Sequence, residues 1–427
     1  MSHPARPRVG RLAVPVVALA AVLGAVPAAA WSATPRTVRV SGGASGAQAT
    51  GASSAAAVSA HGRFVAFASD ASDLVAGDTN RTTDVFVRDR RTGTTTRVSV
   101  NSAGAQADGE SGSPAISADG RFVTFVSRAT NLVAGDRNGG RTDVFVHDRR
   151  SGRTVRLSPG ASSARVGFDP DISADGRYVA FVSGRAFGGT SVEDTAIVVH
   201  DRRTGTARRF ASGSAEGPAI SGDGRVVAFL SRDRLVARDT NRLRDAYVVR
   251  RSTGALARVS VSSSGGQARG DSSEVDISRD GRFVAFASRA ANLVRRDTNR
   301  AGDVFLRDRT TGRTTRASVA SGGGQLRGWS TAPTISASAR SVAFQLSPGD
   351  LIAEGQNPVG RVLVRDRLRR STRVVSVPRA DAAGGGSRSG FPSLSADGRF
   401  VAFTSASNLE AGDTNGTADV YLRGPLR

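Results

Sequence analysis

The stretch Ile116–Ser127, ISADGRFVTFVS, decides the fold because close copies of it recur along the chain. Five further copies and one diverged copy, ISASARSVAFQL, start at Val58, Ile172, Ile220, Ile277, Leu394 and Ile335, respectively. Successive units are spaced by 48 to 59 residues. Seven units at one spacing predict a repeat architecture.

Each unit has the pattern of four short strands. The Asp-Gly pair at Asp119 and Gly120 is a strong hairpin signal between two apolar runs. A longer loop then leads to DVFVHD, the turn RRSG, and the half-polar strand RTVRLS. No unit shows a helical period. Four antiparallel strands repeated seven times predict an all-β, seven-bladed propeller around a central channel.

The two ends of the chain predict how the ring closes. Six units end in an outer strand, but the seventh stops at DVYLRGPLR without one. The segment Arg36–Ser41, RTVRVS, nearly repeats the outer strand Arg153–Ser158, RTVRLS. We therefore expect residues 36–41 to complete the last blade, which would leave no open sheet edge. Residues 31–427 then form a single propeller domain.

The first 30 residues have the order of a secretory signal peptide. A basic start with Arg6, Arg8 and Arg11 precedes an apolar, alanine-rich run that ends in small residues at Ala30. A membrane anchor is the alternative, but the run is short and contains two prolines. No other apolar run is long enough to span a bilayer. We expect an extracytoplasmic protein, secreted or in the cell envelope, with no membrane span after processing.

The charge and the cysteine count limit the chemistry. The chain has 59 basic and 37 acidic residues, a net charge of +22, and every basic residue other than histidine is arginine. Such a surplus can bind polyanions by releasing their counterions, here through an arginine-rich rim of short turns. An evenly solvated surface is the alternative. Because cysteine is absent, disulfides and thiol nucleophiles are excluded.

The motif S-x-D-G-R followed by an apolar strand resembles the WD40-like (PD40), TolB-type β-propeller repeat family. The resemblance extends from about Arg36 to Arg423 and implies a propeller fold. Its members include periplasmic scaffold proteins and the propeller domains of some peptidases. This chain departs from TolB in having seven blades and no separate N-terminal domain, so a TolB-like partnership is not carried over.

A loop of spacing D-x-N-x3-D precedes the third strand of most units. Carboxylate and amide oxygens at alternate positions suit Ca²⁺, so we expect either calcium sites or Asx turns without metal. Two units have lost the motif, and the one beginning at Asp136 carries an extra residue. The candidate ligands are Asp78, Asn80, Asp84, Asp136, Asn138, Asp143, Asp239, Asn241, Asp245, Asp297, Asn299, Asp303, Asp413, Asn415 and Asp419.

Four acids interrupt the repeat just before two inner strands: Asp169, Asp171, Glu274 and Asp276. We expect them near the channel mouth, two blades apart, where they could bind a cation, act as acid and base, or lie in solvent. No G-x-S-x-G, H-E-x-x-H or phosphate-binding glycine motif is present.

Three functions remain open from the sequence. The first is a non-catalytic binding or scaffold protein, monomeric, for a protein or a cell-envelope polymer. The second is a propeller hydrolase or lyase that uses the axial carboxylates. The third is a polyanion binder. No cofactor is required by the motifs, except that Ca²⁺ would occupy the Asp loops if they bind metal.

Overall fold

The structure, a computed structural model, describes residues 35–43, 46–158, 165–187, 191–347, 360–378 and 389–426. The signal-peptide prediction for residues 1–30 lies outside these ranges. Within them, 28 strands form seven four-stranded antiparallel sheets, and no helix occurs. Accordingly, the described residues include no helix long and apolar enough to cross a membrane. The predicted seven-bladed propeller is confirmed.

The first three blades follow one another along the chain. Blade 1 contains β2 (Ser53–Val58), β3 (Phe64–Ser69), β4 (Asp84–Asp89) and β5 (Thr94–Arg97). Blade 2 contains β6 (Ser111–Ile116), β7 (Phe122–Ser127), β8 (Asp143–Asp148) and β9 (Arg153–Arg156). Blade 3 contains β10 (Arg165–Ile172), β11 (Tyr178–Phe187), β12 (Ser191–Asp201) and β13 (Thr206–Gly213).

Three more complete blades continue the series. Blade 4 contains β14 (Glu216–Ile220), β15 (Val226–Ser231), β16 (Asp245–Arg250) and β17 (Leu256–Arg258). Blade 5 contains β18 (Ser272–Ile277), β19 (Phe283–Ser288), β20 (Asp303–Asp308) and β21 (Arg313–Arg316). Blade 6 contains β22 (Trp329–Ile335), β23 (Ser341–Ser347), β24 (Arg361–Asp366) and β25 (Ser371–Val374).

Blade 7 joins both ends of the chain. It contains β26 (Ser389–Leu394), β27 (Val401–Ser405), β28 (Asp419–Gly424) and, as its outer strand, β1 (Arg36–Arg39). Strand β1 runs antiparallel to β28, with Arg39 opposite Tyr421. The predicted closure by the N-terminal segment is confirmed, with regular strand pairing from residue 36 to residue 39.

A ring of backbone hydrogen bonds joins the blades at the short turns between first and second strands. The Ala60 amide donates to the Ala118 carbonyl at 3.1 Å, and the Ala118 amide donates to the Ala174 carbonyl at 3.0 Å. The series continues around the ring with distances of 2.8 to 3.2 Å. The last link runs from the Asp397 amide of blade 7 back to the Ala60 carbonyl at 3.1 Å. Because every blade is held on both sides, the ring is rigid at this end of its axis.

The core lies between the blades. Second and third strands are apolar on both faces because each sheet is covered by neighbours on two sides. Phe67 and Phe86 stack at 5.8 Å within blade 1 and pack against Ala402 and Leu422 of blade 7. The same packing therefore continues across the junction where the chain ends meet.

Each inner strand also carries a bulge. Its register shifts next to a residue with positive φ, three positions before the final apolar residue of the strand. These residues are Ala55, Ser113, Asp169, Gly217, Glu274, Ala332 and Phe391. The bulge aims the following residues of each strand at the axis.

Candidate functional site

The axial channel contains a cavity of about 440 Å³ that all seven blades line. Its walls combine the ends of the inner strands with residues of the short Asp-Gly turns, such as Ala60 and Ala118. The cavity therefore lies at the short-turn end of the axis, opposite the long loops. Most lining residues are alanine, proline, isoleucine or leucine, so the few polar side chains stand out.

Two carboxylates line this cavity, Asp171 of blade 3 and Asp276 of blade 5. Both oxygens of Asp171 accept backbone hydrogen bonds, from Ile172 at 2.8 Å and from Ile220 of the next blade at 2.7 Å. Asp276 repeats this arrangement with Ile277 and with Ile335 of the next blade, both at 2.7 Å. Each acid thus holds its blade to the next and is fixed in position.

The same strand position is neutral in the other five blades. Thr334 and Ser393 replace the acid in blades 6 and 7, and their hydroxyls accept from the next blade's amide at 3.4 and 3.1 Å. Alanine takes this position in blades 1, 2 and 4. A hydroxyl therefore suffices for the structural link, so the two negative charges of blades 3 and 5 need a separate explanation.

The protein environment raises the pKa of both acids. Burial among the seven inner strands raises the pKa of Asp171 to about 7, opposed by the Ile220 amide and reinforced by the charge of Asp276. Burial raises the pKa of Asp276 to about 6, opposed by the Ile335 and Ile277 amides. The pair can thus gain or lose protons near neutral pH.

The other two axial candidates lie outside the axial cavity. Asp169 and Glu274 are the positive-φ residues of their bulges, they are exposed, and neither lines the cavity. The Glu274 carboxylate accepts a 2.6 Å hydrogen bond from the Ala332 amide of blade 6. The expected two-blade separation is therefore found, but only Asp171 and Asp276 share a cavity.

Among the residues that the structure describes, one cationic side chain, Arg279, lines the axial cavity, and the sequence did not lead us to select it. Arg279 follows the inner strand of blade 5 at a position where the other blades carry alanine or glycine. It is exposed and packs against Gly222 of blade 4, where a side chain would collide with it. Its departure from the repeat was the signal that could have identified it.

The D-x-N-x3-D loops form buried ion pairs with arginines of the outer strand. In blade 1, the Arg97 guanidinium lies 3.1 Å from Asp78 and 3.5 Å from Asp84. The Asn80 amide donates to Asp84 at 2.8 Å, and the Ser99 hydroxyl donates to its other oxygen. Burial raises the pKa of Asp84, while its hydroxyl, amide and guanidinium partners oppose that effect.

The arrangement recurs in four other blades. Ion pairs join Arg156 to Asp136 and Asp143, Arg258 to Asp239 and Asp245, Arg316 to Asp297 and Asp303, and Arg39 to Asp419. The asparagines Asn138, Asn241 and Asn299 donate to the strand aspartate of their blades, whereas Asn415 donates to the Ala49 carbonyl.

As arranged, these residues do not fit a calcium ion. A guanidinium lies against the carboxylates where a cation would have to bind, and the asparagine nitrogen, a donor, faces the aspartate. Among the residues the structure describes, no three His, Cys, Asp or Glu side chains are grouped to hold a metal. The geometry favours the alternative of a structural turn, and the melting experiment described below tests whether the loops bind calcium.

The sequence contained a signal for these ion pairs. Blades with Asp at the start of the third strand also carry R-x-S on the outer strand, for example Arg97 and Ser99. Blade 3 has Ala196 in place of this Asp and Ala211 in place of the Ser. Blade 6 has Arg361 in place of the Asp and Val374 in place of the Arg. No blade keeps the complete R-x-S after losing its Asp.

Many arginines of the short-turn rim form hydrogen bonds or ring contacts within the protein. Arg63 makes two hydrogen bonds to Asp89, at 3.0 and 2.7 Å, and four other blades repeat this pair. Arg149 of blade 2 stacks on Phe64 of blade 1, 4.6 Å from the ring centre. The rim therefore has fewer free guanidinium groups for a polyanion than its sequence suggests.

Comparisons with known proteins show the fold. No protein-family model and no curated protein matches this chain. An oligogalacturonate lyase from Vibrio parahaemolyticus is 12% identical, with a TM-score of 0.57, over 92% of this chain and 96% of its own. The propeller domain of the Trilobed protease from Pyrococcus furiosus is 10% identical, with a TM-score of 0.54, over 87% and 93%.

TolB from Acinetobacter baumannii is also among the similar structures. It is 16% identical with a TM-score of 0.42, and the alignment covers 86% of this chain and 81% of that one. The likenesses to the lyase and to the protease domain show the propeller fold and, at these identities, leave activity open. The resemblance to the PD40 repeat family stays an expectation.

Proposed function

We propose that this protein is an exported, non-catalytic propeller that binds a protein or a cell-envelope polymer through its axial cavity. The observation that carries the proposal is the pair Asp171 and Asp276 on the wall of a cavity held by seven blades. A rigid concave site with a few fixed polar groups is the usual form of a binding site.

The chemistry of the cavity favours a cationic group of the partner. Apolar walls from Pro170, Ile220 and Ile335 suit an aliphatic stem, and the two carboxylates suit an ammonium or guanidinium at its end. A cation favours the ionised acids, so binding should release protons. Because their pKa values lie at about 7 and about 6, affinity should rise between pH 6 and pH 8.

A capture experiment tests the proposal. Culture supernatant and cell-wall extract are passed over the immobilised protein, and captured partners are identified for the wild type and for Asp171→Asn/Asp276→Asn. The double variant should lose the partner. The matched control, Asp169→Asn/Glu274→Gln, removes the same charge from the same two inner strands but outside the cavity, and it should retain the partner. Retention by the Asp171→Asn/Asp276→Asn variant would overturn axial binding.

A second candidate function is an enzyme that acts at the same acids. The observation that favours it is that two carboxylates with raised pKa values line one cavity, where such groups can donate or accept a proton near neutral pH. A screen over glycans and lactones with the wild type and each single Asn variant tests it. Turnover that both Asn variants retain would exclude these acids as catalytic residues.

A further inference from the structure

On the long-loop face, the basic loops and the acidic loops lie on opposite sides of the ring, as a basic sector and an acidic sector. The long loops of blades 4 and 5, residues 232–244, 259–271, 289–302 and 317–328, contain eleven arginines and four aspartates, a net charge of +7. Those of blades 7 and 1, residues 406–418, 40–52, 70–83 and 98–110, contain seven acids and one arginine, a net charge of −6.

A groove of about 820 Å³ lies at the basic sector, along the outer edge of blade 5. Arg295 and Arg296 of the long loop and Arg313 of the outer strand β21 line it, and all three are exposed. None of these three side chains makes an ion pair with any described residue. Arg316, by contrast, is neutralised by Asp297 and Asp303.

Arg296 occupies a backbone position that disfavours a side chain. Its φ is +57°, in the left-handed region. At the same place in the loop, blades 1, 2 and 7 have Gly77, Gly135 and Gly412, with φ between +74° and +82°. The neighbouring Arg295 likewise replaces an alanine, Ala76 in blade 1. Blade 5 thus adds two charges to this loop, and one of them, Arg296, lies at a left-handed position, whereas blade 4 adds only Arg238. A charged side chain at such a position points to a role outside folding.

The remaining wall of the groove is rich in hydroxyl groups. Ser262 and Ser264 come from the loop after blade 4, and Thr315 comes from β21. A groove that combines hydroxyls with guanidinium groups has the hydrogen-bonding and charged groups that an acidic sugar chain would need. An extended polymer would fit along the strand edge, and the acidic sector across the ring would repel it from the other side.

We propose that the groove of blade 5 binds a linear polysaccharide that bears carboxylate groups. Arg295, Arg296 and Arg313 would pair with successive carboxylates, and the hydroxyls would bond to the sugar rings. The site is separate from the axial cavity and does not depend on the function proposed for it. The sequence predicts polyanion binding at the short-turn rim, where many arginines are paired. The groove offers arginines without ion pairs at the outer edge of blade 5 instead.

The test compares two triple variants with equal loss of charge. The groove variant is Arg295→Ala/Arg296→Gly/Arg313→Ala. The control, Arg91→Ala/Arg150→Ala/Arg203→Ala, removes three exposed arginines of the short turns on the opposite face. Because other blades carry Gly at the position of Arg296, the groove variant should fold, and its melting temperature checks this. Affinities are measured for sodium alginate, polyphosphate and neutral dextran at several salt concentrations.

Site-specific binding predicts that the groove variant loses about tenfold or more in alginate affinity, with a shallower salt dependence, whereas the control stays within about threefold. Alginate should bind more tightly than polyphosphate, and dextran should not bind. Equal losses in both variants, or equal affinity for alginate and polyphosphate, would show unselective counterion release and overturn the proposal. No alginate binding, or self-association that only the groove variant abolishes, would overturn it too.

Discussion

Arg258 is the centre of a buried ion-pair network in blade 4. Its side chain is only 5% exposed and lies 3.1 Å from Asp239 and 3.3 Å from Asp245, which are also buried. The Tyr247 hydroxyl donates to Asp239 and thus joins the same buried network of polar groups. Removing one partner of such a buried ion-pair network is costly to stability, because it leaves uncompensated charge in the interior.

Arg258→Ala should lower the free energy of unfolding by about 3–5 kcal/mol, because it leaves two buried carboxylates unpaired. Arg225→Ala provides the comparison, since Arg225 is 77% exposed and 3.8 Å from Asp223. That change should cost about 0–1 kcal/mol. Chemical denaturation measures both. Similar costs for the two variants would contradict the assignment of the Asp loops to internal ion pairs.

The axial acids should give stability a characteristic dependence on pH. The folded pKa of Asp171, about 7, lies above its unfolded value, so the folded state holds a proton that the unfolded state has released. Asp276 behaves alike, with a folded pKa of about 6. Their contribution is largest below neutral pH and is lost as pH rises towards 7. The negative charge of Asp276 raises the pKa of Asp171 further.

Melting temperatures of the wild type and of Asp171→Asn/Asp276→Asn, measured from pH 4.5 to pH 8, check this expectation. The advantage of the wild type over the variant should shrink as pH rises from 4.5 to about 7 and stay level above that, because the unfolded acids have already released their protons over this range. A difference that stays constant over the whole range would contradict the raised pKa values. Circular dichroism at pH 7 controls for correct folding of the variant.

At the level of elements, the closing strand does more than cover a sheet edge. Ser41, just after β1, donates to Asp419 at 2.6 Å, and the Val420 amide donates to Ser41 at 3.0 Å. Ser158 makes the same two contacts with Asp143 and Val144 inside blade 2. The N-terminal segment therefore supplies to blade 7 the hydrogen bonds that other blades obtain from their own outer strands.

Ser41→Ala should destabilise the protein as much as Ser158→Ala does, by about 1–3 kcal/mol, because each change leaves a buried aspartate oxygen without its donor. Unfolding curves for the two variants measure this. If residues 36–41 were not part of blade 7, Ser41→Ala would have no effect while Ser158→Ala kept its cost.

The strands and their order could be predicted from the sequence because each repeats a local pattern seven times. The short Asp-Gly turns and the alternating strands need only neighbouring residues to form. The ion pairs of the Asp loops were harder to predict, because Asp84 and Arg97 belong to different strands and the same spacing also suits calcium. The axial cavity was harder still to predict, because Asp171 and Asp276 line one cavity only after the six strand pairings of blades 3 and 4 have formed and the blades surround one axis.

At the scale of the whole molecule, rigidity comes from the ring. Neighbouring blades share apolar clusters, and the short turns are linked by backbone hydrogen bonds back to the first blade. In the loops of the D-x-N-x3-D pattern, the carboxylates are paired with arginines of the outer strands. The molecule thus presents two faces of different character: an acid-lined cavity at the short turns and a charge-divided surface at the long loops.

Calcium should leave the melting temperature unchanged, whether it is added at millimolar concentration or removed with EDTA. A ligand that binds only the native state at 100 times its dissociation constant adds about 2.7 kcal/mol to the free energy of unfolding. Such a gain would raise the melting temperature by several degrees. A shift of that size would restore the calcium interpretation of the Asp loops.

The closed ring is the claim on which the faces, the cavity and the groove all depend. Hydrogen–deuterium exchange of the amides in residues 36–41 tests it most directly, with residues 153–158 of blade 2 as an internal reference of nearly identical sequence. We predict comparable protection of the two segments, for hours rather than seconds, because the Val40 amide donates to the Val420 carbonyl at 2.8 Å and the Leu157 amide donates to Val144 at 2.8 Å. Exchange of residues 36–41 at the rate of an unpaired tail, with residues 153–158 protected, would contradict the closure.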